Sequence, residues 1–320
     1  MSKRQAPVAQ AKSLRIETGA TGLEPATSGV TGRRSNQLNY APGAEGSVAA
    51  RPTGRMAVRL AVGHHAPVRV WVATGISAVA LCVASVAGAI VYGSPDGNGH
   101  PAVGALLAPK AYSDGTWAAC TGTLVAPRVF LTAAHCDLGV ARVAVTFDSV
   151  YDPRKGKTHW GTWYADPGYN QAQSDPGDIA VVVLDKPVKG IAPARLPASG
   201  SLGGLAGGTR FTSVGYGAYS VTIEKGPAYH YADVRRVATG SLNAVNASWL
   251  RISMNPVRGD GGTCYGDSGG PNFLGAGATE TDVVAALTVT GDSMCRATNV
   301  VYRLDTTSAR AFLAHYVALP

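Results

Sequence analysis

The feature that most constrains this chain is the punctuation of residues 101–320. Apolar runs of four to eight residues, at 122–125, 143–147, 179–184, 210–214, 283–290 and 300–304, are separated by Gly, Pro, Asp and Asn. Runs this short, with breakers at both ends, read as strands joined by turns rather than as core helices. Forty glycines and nineteen prolines make 59 of 320 residues, against an expected share of about 12%, so the turn chemistry extends along the chain. The predicted class is all-β, and the stretch is long enough for one large or two small cores. The exception is the C-terminus. There Thr306 or Thr307 can cap a short helix with Ala311, Phe312, His315 and Tyr316 on one face.

Charge divides the chain. Residues 1–95 hold ten Lys/Arg and three Asp/Glu, whereas 96–320 hold eighteen and seventeen, so of the net +8 only +1 belongs to the β-patterned part. A nucleic-acid-binding domain carries its positive charge on the domain itself, so nucleic acid is not an expected partner. Cysteines divide in the same way. Cys82 lies in an apolar run, and Cys120, Cys136, Cys264 and Cys295 lie in the neutral part, an even number that suits disulfides outside the cytoplasm. Their count leaves three connectivities open.

Residues 1–55 show no sustained apolar period and are expected to be disordered, or an artefact of the gene model. The stretch 19–42 resembles the peptides produced when a tRNA gene is translated in frame, which would move the start to Met56. Residues 56–92 read as a signal peptide or signal anchor. Arg51, Arg55, Arg59 and Arg69 precede the charge-free 70–92 run, which is long enough to span a bilayer and would keep the N-terminus inside. The run also contains Ala87-Gly88-Ala89, an A-x-A-type cleavage site, and its many alanines and glycines favour cleavage over anchoring. The expectation is a secreted monomer. The alternative is a single-pass protein that touches the membrane only through 70–92, with residues 101–320 outside. Residues 93–100 (GSPDGNGH) read as a linker.

Three segments carry chemistry: Leu131-Thr132-Ala133-Ala134-His135-Cys136, Asp178-Ile179-Ala180 at the head of an apolar strand, and Cys264-Tyr265-Gly266-Asp267-Ser268-Gly269-Gly270-Pro271. Taken singly, His135 reads as a core histidine, Asp178 as a strand-end cap and Ser268 as a turn serine. Together, in this order and with paired cysteines nearby, residues 101–320 resemble the chymotrypsin/trypsin-type serine proteases. The resemblance implies two packed, antiparallel six-stranded β-barrels with a short C-terminal helix. It also implies peptide-bond hydrolysis of protein or peptide substrates. Ser268 would be the nucleophile, His135 the base that takes its proton, and Asp178 the acceptor that fixes the imidazole tautomer. Asp175 and Asp185 are rivals for that last role; Asp178 is preferred because it directly precedes the strand. The N–H groups of Gly266 and Ser268 would form the oxyanion hole. Disulfides Cys120–Cys136 and Cys264–Cys295 follow from the same resemblance.

Two departures matter. Where trypsin-like members carry a pocket-floor carboxylate this chain has Gly262, with Thr263 beside it, and Asp260 stands too far back to substitute. Thr290 and Val300 fall roughly where open-pocket members carry glycine. The pocket is therefore expected to suit small aliphatic side chains before the scissile bond. Many members are also cut to free an Ile or Val amine that pairs with the aspartate before the serine, here Asp267. The nearest match by sequence is Val103-Gly104-Ala105, with no Lys or Arg directly before it. The alternative functions are a latent zymogen or protease-fold binding protein, and an esterase-like hydrolase using the same triad. No HExxH, Walker A or strand–GxGxxG–helix pattern appears, so neither metal nor cofactor is expected. Asn246-Ala247-Ser248 is a glycosylation sequon by spelling only, and His64-His65 reads as a solvated flank.

Overall fold

The protein is described from a computed structural model covering residues 90–320. The expectations for residues 1–55, for Cys82 and for all but the last three residues of the 70–92 run lie outside the described residues. Among the described residues no helix is long and apolar enough to cross a membrane.

The first barrel is built from β2 (Val103–Leu107), β3 (Ala118–Ala126), β4 (Val129–Thr132), β5 (Arg142–Thr146), β6 (His159–Ala165) and β7 (Ala180–Leu184), preceded in sequence by the two-residue β1 (Ser94–Pro95). Its order is β2-β3-β4-β7-β6-β5, closed by pairing of β5 with β2. Closure removes the exposed edges that so many short strands would otherwise present. Phe130, Leu131, Leu106, Leu124, Val181 and Val182 are fully buried in its core.

The second half adds β8 (Arg210–Gly215), β9 (Ser220–Ile223), β10 (Pro227–His230), β11 (Arg236–Val245), β12 (Trp249–Ser253), β13 (Pro271–Leu274), β14 (Val284–Gly291) and β15 (Thr298–Arg303). Six of these close in the order β8-β11-β12-β15-β14-β13, and β9 and β10 form a separate hairpin. β11 can serve several partners because it is ten residues long: its first part pairs with β8 and β1 and its last part with β12. The chain thus folds as the two antiparallel six-stranded barrels expected of it. The short helix α1 (Thr307–Leu313) follows, with the Thr306 side chain accepting the Ala309 N–H at 3.3 Å as its N-cap. The helix ends before His315 and Tyr316, which the periodicity had included.

Residues 93–100, expected as a linker, are fastened to the domain. β1 pairs with β11, and Arg235 Nε donates to Asp96 at 2.7 Å. His100 bonds Asp96 through Nδ1 and Glu280 through Nε2, the latter at 2.6 Å. Arg235 has no exposed surface and also donates to the carbonyls of Val103 and Phe147, each at 3.0 Å, so it pins the second barrel to the first. A long-range ion pair of this kind leaves no mark in local composition. The last residues of the 70–92 run are also folded in: Ile90 and Val91 are buried, and Val91 forms an antiparallel bridge with Gly262.

Candidate active site

Strand pairing delivers the first two site residues. β4 and β7 run antiparallel with Leu131 opposite Val181 and Thr132 opposite Ala180. Extending that register past the strand ends brings the turn after β4 against residues just before β7. His135 sits in that turn, a single 3-10 turn at Ala134–Cys136, and Asp178 lies two residues before β7. Asp178 has no exposed surface. One of its oxygens accepts the His135 backbone N–H at 2.9 Å, and the other lies 2.7 Å from His135 Nδ1. A carboxylate can only accept, so Nδ1 carries the proton and Nε2 is left as the free lone pair. Nε2 is buried and has no hydrogen-bond partner among the described residues. Burial pulls the imidazole pKa down, but the Asp178 charge and its hydrogen bond together more than reverse this, leaving it above the usual histidine value.

Ser268 comes to the same place from the second barrel. Its carbonyl accepts the Thr121 N–H of β3 at 2.9 Å and lies 3.6 Å from Cys136 Sγ, the residue next to His135. Gly269 is the second point of contact. Its φ is +75°, and a Cβ there would press into Thr132 and come within 2.7 Å of the Ala133 amide nitrogen. Only glycine allows this approach. The loop is pinned by Asp267 N–H to Cys264 O (3.0 Å), Gly269 N–H to Thr288 O (2.8 Å) and Gly270 N–H to Asp267 O (2.8 Å). No acceptor among the described residues takes the Gly266 or Ser268 N–H, so these two donors are left unused beside the serine.

Asp267 is wholly buried. Its carboxylate accepts the N–H groups of Gly217 at 2.7 Å and Cys264 at 2.9 Å, with no charged partner among the described residues. Burial pushes its pKa up to about 7 against the lowering effect of those two bonds. Val103–Leu107 is an interior strand bonded to β3 and β5, so Val103 is no candidate for a free N-terminus that could pair with it.

Disulfides join Cys120 to Cys136 and Cys264 to Cys295, with Cα separations of 6.2 and 5.3 Å. The first ties the His135 turn to β3. The second joins the serine loop to the turn after β14, close to Thr290 and Val300, which face each other across β14 and β15. Sequence reasoning missed Met254. It is buried, and a Cβ on Gly262 would fall 2.6 Å from its sulfur, so it fills the space beneath Gly262. Asp260 is occupied elsewhere: it pairs with Arg210 at 2.5 Å and accepts the Ser241 hydroxyl at 2.7 Å. Tyr229 and Tyr265, also unforeseen, meet edge to face at 4.5 Å between ring centroids beside the second disulfide. Thr263 is buried in the same loop. A separate groove of about 830 Å³ lies between Asp166–Gly177 and α1; it is lined by Asp175, the rival carboxylate, which accepts the Tyr302 hydroxyl at 2.8 Å and the Ser308 hydroxyl at 2.5 Å, and by none of His135, Asp178, Ser268 or the expected pocket residues. No cluster of His, Cys, Asp and Glu among the described residues is arranged to hold a metal ion.

Residues 97–309 match the trypsin family model. The chain is 30% identical to a trypsin of Saccharopolyspora erythraea over 197 residues, which is 57% of this chain and 80% of that protein. It is 31% identical to the venom plasminogen activator LV-PA of Lachesis muta muta over 170 residues, covering 48% of this chain but only 61% of that protein. It is 26% identical to a chymotrypsin of Phaedon cochleariae over 57% of this chain and 67% of the relative. With the family model covering 97–309 and the two-barrel fold that carries it, the chain belongs to the trypsin family of serine proteases.

Proposed function

We propose that this chain is an extracellular serine endopeptidase acting on protein or peptide substrates as a monomer. Ser268 attacks the scissile carbonyl, His135 Nε2 takes its proton and returns it to the leaving amine, and Asp178 holds the imidazole in its Nδ1–H tautomer. Gly266 and Ser268 N–H groups receive the oxyanion, each contributing about 3 kcal/mol to lowering the barrier if it behaves like other such donors. The observation that carries the reading is the doubly anchored Asp178–His135 pair with Nε2 left bare.

The specificity pocket is read as shallow and apolar, lined by Gly262, Thr263, Thr290 and Val300. Met254 closes its floor, and Asp260 is spent on Arg210 and cannot meet a substrate cation. Small aliphatic residues before the scissile bond are the expected substrates. The test is a panel of peptide amides that vary only at that residue, with matched esters. Ala and Val amides are expected to be cleaved at least tenfold faster than Lys or Arg amides. Preference for the basic substrates would overturn the pocket reading, and turnover of esters alone would overturn the endopeptidase reading.

A further inference from the structure

The segment that leads into Asp178 is gripped by the second half of the chain. Trp249 of β12 and Tyr302 of β15 stand opposite each other in the strand register, and their rings meet edge to face at 5.7 Å between centroids. Trp249 Nε1 donates to Ser174 O at 3.1 Å, and the Tyr302 hydroxyl donates to Asp175 Oδ1 at 2.8 Å. The hydroxyl of Ser308, in α1, donates to Asp175 Oδ2 at 2.5 Å. One cross-strand pair thus holds two consecutive residues, and the helix takes the remaining carboxylate oxygen. Burial, reinforced by the Asp175 bond and charge, pushes the Tyr302 pKa up, so its hydroxyl stays a donor.

Only Pro176 and Gly177 separate Asp175 from Asp178, and both are buried. The proline ring fixes one φ, and Pro176 O accepts the Asn170 N–H at 2.8 Å. Gly177 has φ +60°, and its carbonyl accepts the Ile179 N–H at 2.8 Å. A link this short and this constrained passes the position of Asp175 on to Asp178. That matters because His135 and Asp178 come from the first barrel, whereas Ser268 comes from the second. A misplacement of about 1 Å in such a constellation can cost about 10²-fold in rate. Asp178 is the charge that acts on the His135 ring, and Asp175 is not, so any effect of Asp175 on the base must run through placement.

We propose that Asp175 is a positioning residue for the reaction: it clamps the Asp178 segment to β15 and α1 and so sets how closely Asp178 meets His135. The acid end of the site is thereby registered to the half of the chain that carries Ser268. This inference rests on the reading of His135 as the base and Asp178 as its partner.

The test uses the full chain, secreted and oxidised, and reads two quantities: the fluorophosphonate labelling rate against pH, and the downfield proton resonance of His135 Nδ1–H. Asp175 lines an open groove, so water can replace its side chain, and Asp175→Ala is expected to fold. It should label about 10- to 100-fold more slowly near neutral pH. Its acid limb should move to lower pH and its resonance should weaken or move upfield, because a retreating Asp178 no longer lifts the imidazole. Asp175→Asn keeps an oxygen for Tyr302 and should recover most of the loss. Tyr302→Phe and Ser308→Ala each remove one bond and should give smaller losses with the same shifts. An unchanged rate in Asp175→Ala, or a slower rate with limb and resonance unmoved, overturns the inference and leaves the nucleophile reading standing. If Asp175→Ala does not fold, Tyr302→Phe and Ser308→Ala carry the test by the same criteria. If the unaltered protein never labels, the nucleophile reading has failed and the resonance decides alone: displacement in the variants supports the clamp, and an unmoved signal overturns it.

Discussion

Both oxygens of Asp178 are engaged by one residue: His135 donates its backbone N–H to one at 2.9 Å and its Nδ1–H to the other at 2.7 Å. The backbone bond fixes the carboxylate, and the fixed carboxylate fixes the ring. This two-point contact sets the tautomer and raises the imidazole pKa together.

A pH profile follows. The base must be neutral to accept the Ser268 proton, so kcat/KM is expected to rise with pH through a group above the ordinary histidine value of 6.5. Asp178→Asn removes the charge that lifts it. The acid limb should then move to lower pH while turnover near neutrality falls by about 10⁴-fold. An unshifted limb in the variant would show that Asp178 is not what raises the imidazole pKa.

Met254 gives a specificity prediction. Met254→Ala should deepen the pocket and raise kcat/KM for Leu or Phe amides at least tenfold relative to Ala amides, at a stability cost of about 2–5 kcal/mol. Gly262→Asp alone should not create preference for Lys or Arg, because its Cβ meets the Met254 sulfur at 2.6 Å. The double variant with Met254→Gly is expected to do so, as read on the same substrate panel.

The ion-paired strap gives a stability prediction with a defined window. Burial opposes ionisation of both groups, but mutual hydrogen bonds hold Asp96 down to about 2 and raise His100 above 6.5. The aspartate's contribution is present above 3.8 and lost as pH falls towards 2. The histidine's contribution is full below 6.5 and lost as pH rises through its higher folded value. His100→Gln should therefore lower Tm more at pH 5 than at pH 9. Arg235→Met strands Asp96 without its buried cation and should cost about 3–5 kcal/mol by urea unfolding near neutral pH.

The disulfides can be weighed separately. Loops of 16 and 31 residues correspond to about 3–4 kcal/mol each if unfolded-state entropy dominates. Cys120→Ser with Cys136→Ser should lower both Tm and kcat, since that bridge also holds the His135 turn. Unchanged unfolding under reduction would remove both bridges from the account.

How much the sequence reveals depends on how far each interaction reaches along the chain. The alternating short runs and the largely buried Ala180–Leu184 strand are local, so the all-β class was legible, while the two-barrel arrangement followed from the resemblance. His135, Asp178 and Ser268 sit in contiguous motifs, so the same local reading proposes them as the site. Met254 was not, because its position under Gly262 depends on how two loops pack. The 93–100 segment reads as a linker from its glycines and proline, yet the Asp96–Arg235 pair that fastens it spans 139 residues. Ile90 and Val91 were hidden differently: they continue an apolar run without a break, and nothing in that run marks the bridge from Val91 to Gly262.

The central claim, a Ser268 nucleophile served by His135, is tested most directly by fluorophosphonate labelling of the secreted, oxidised protein with mapping of the modified peptide. A single adduct on Ser268, lost in His135→Ala while the fold is retained, is the predicted result. A folded, oxidised protein that takes no adduct, or takes it equally without His135, would contradict it.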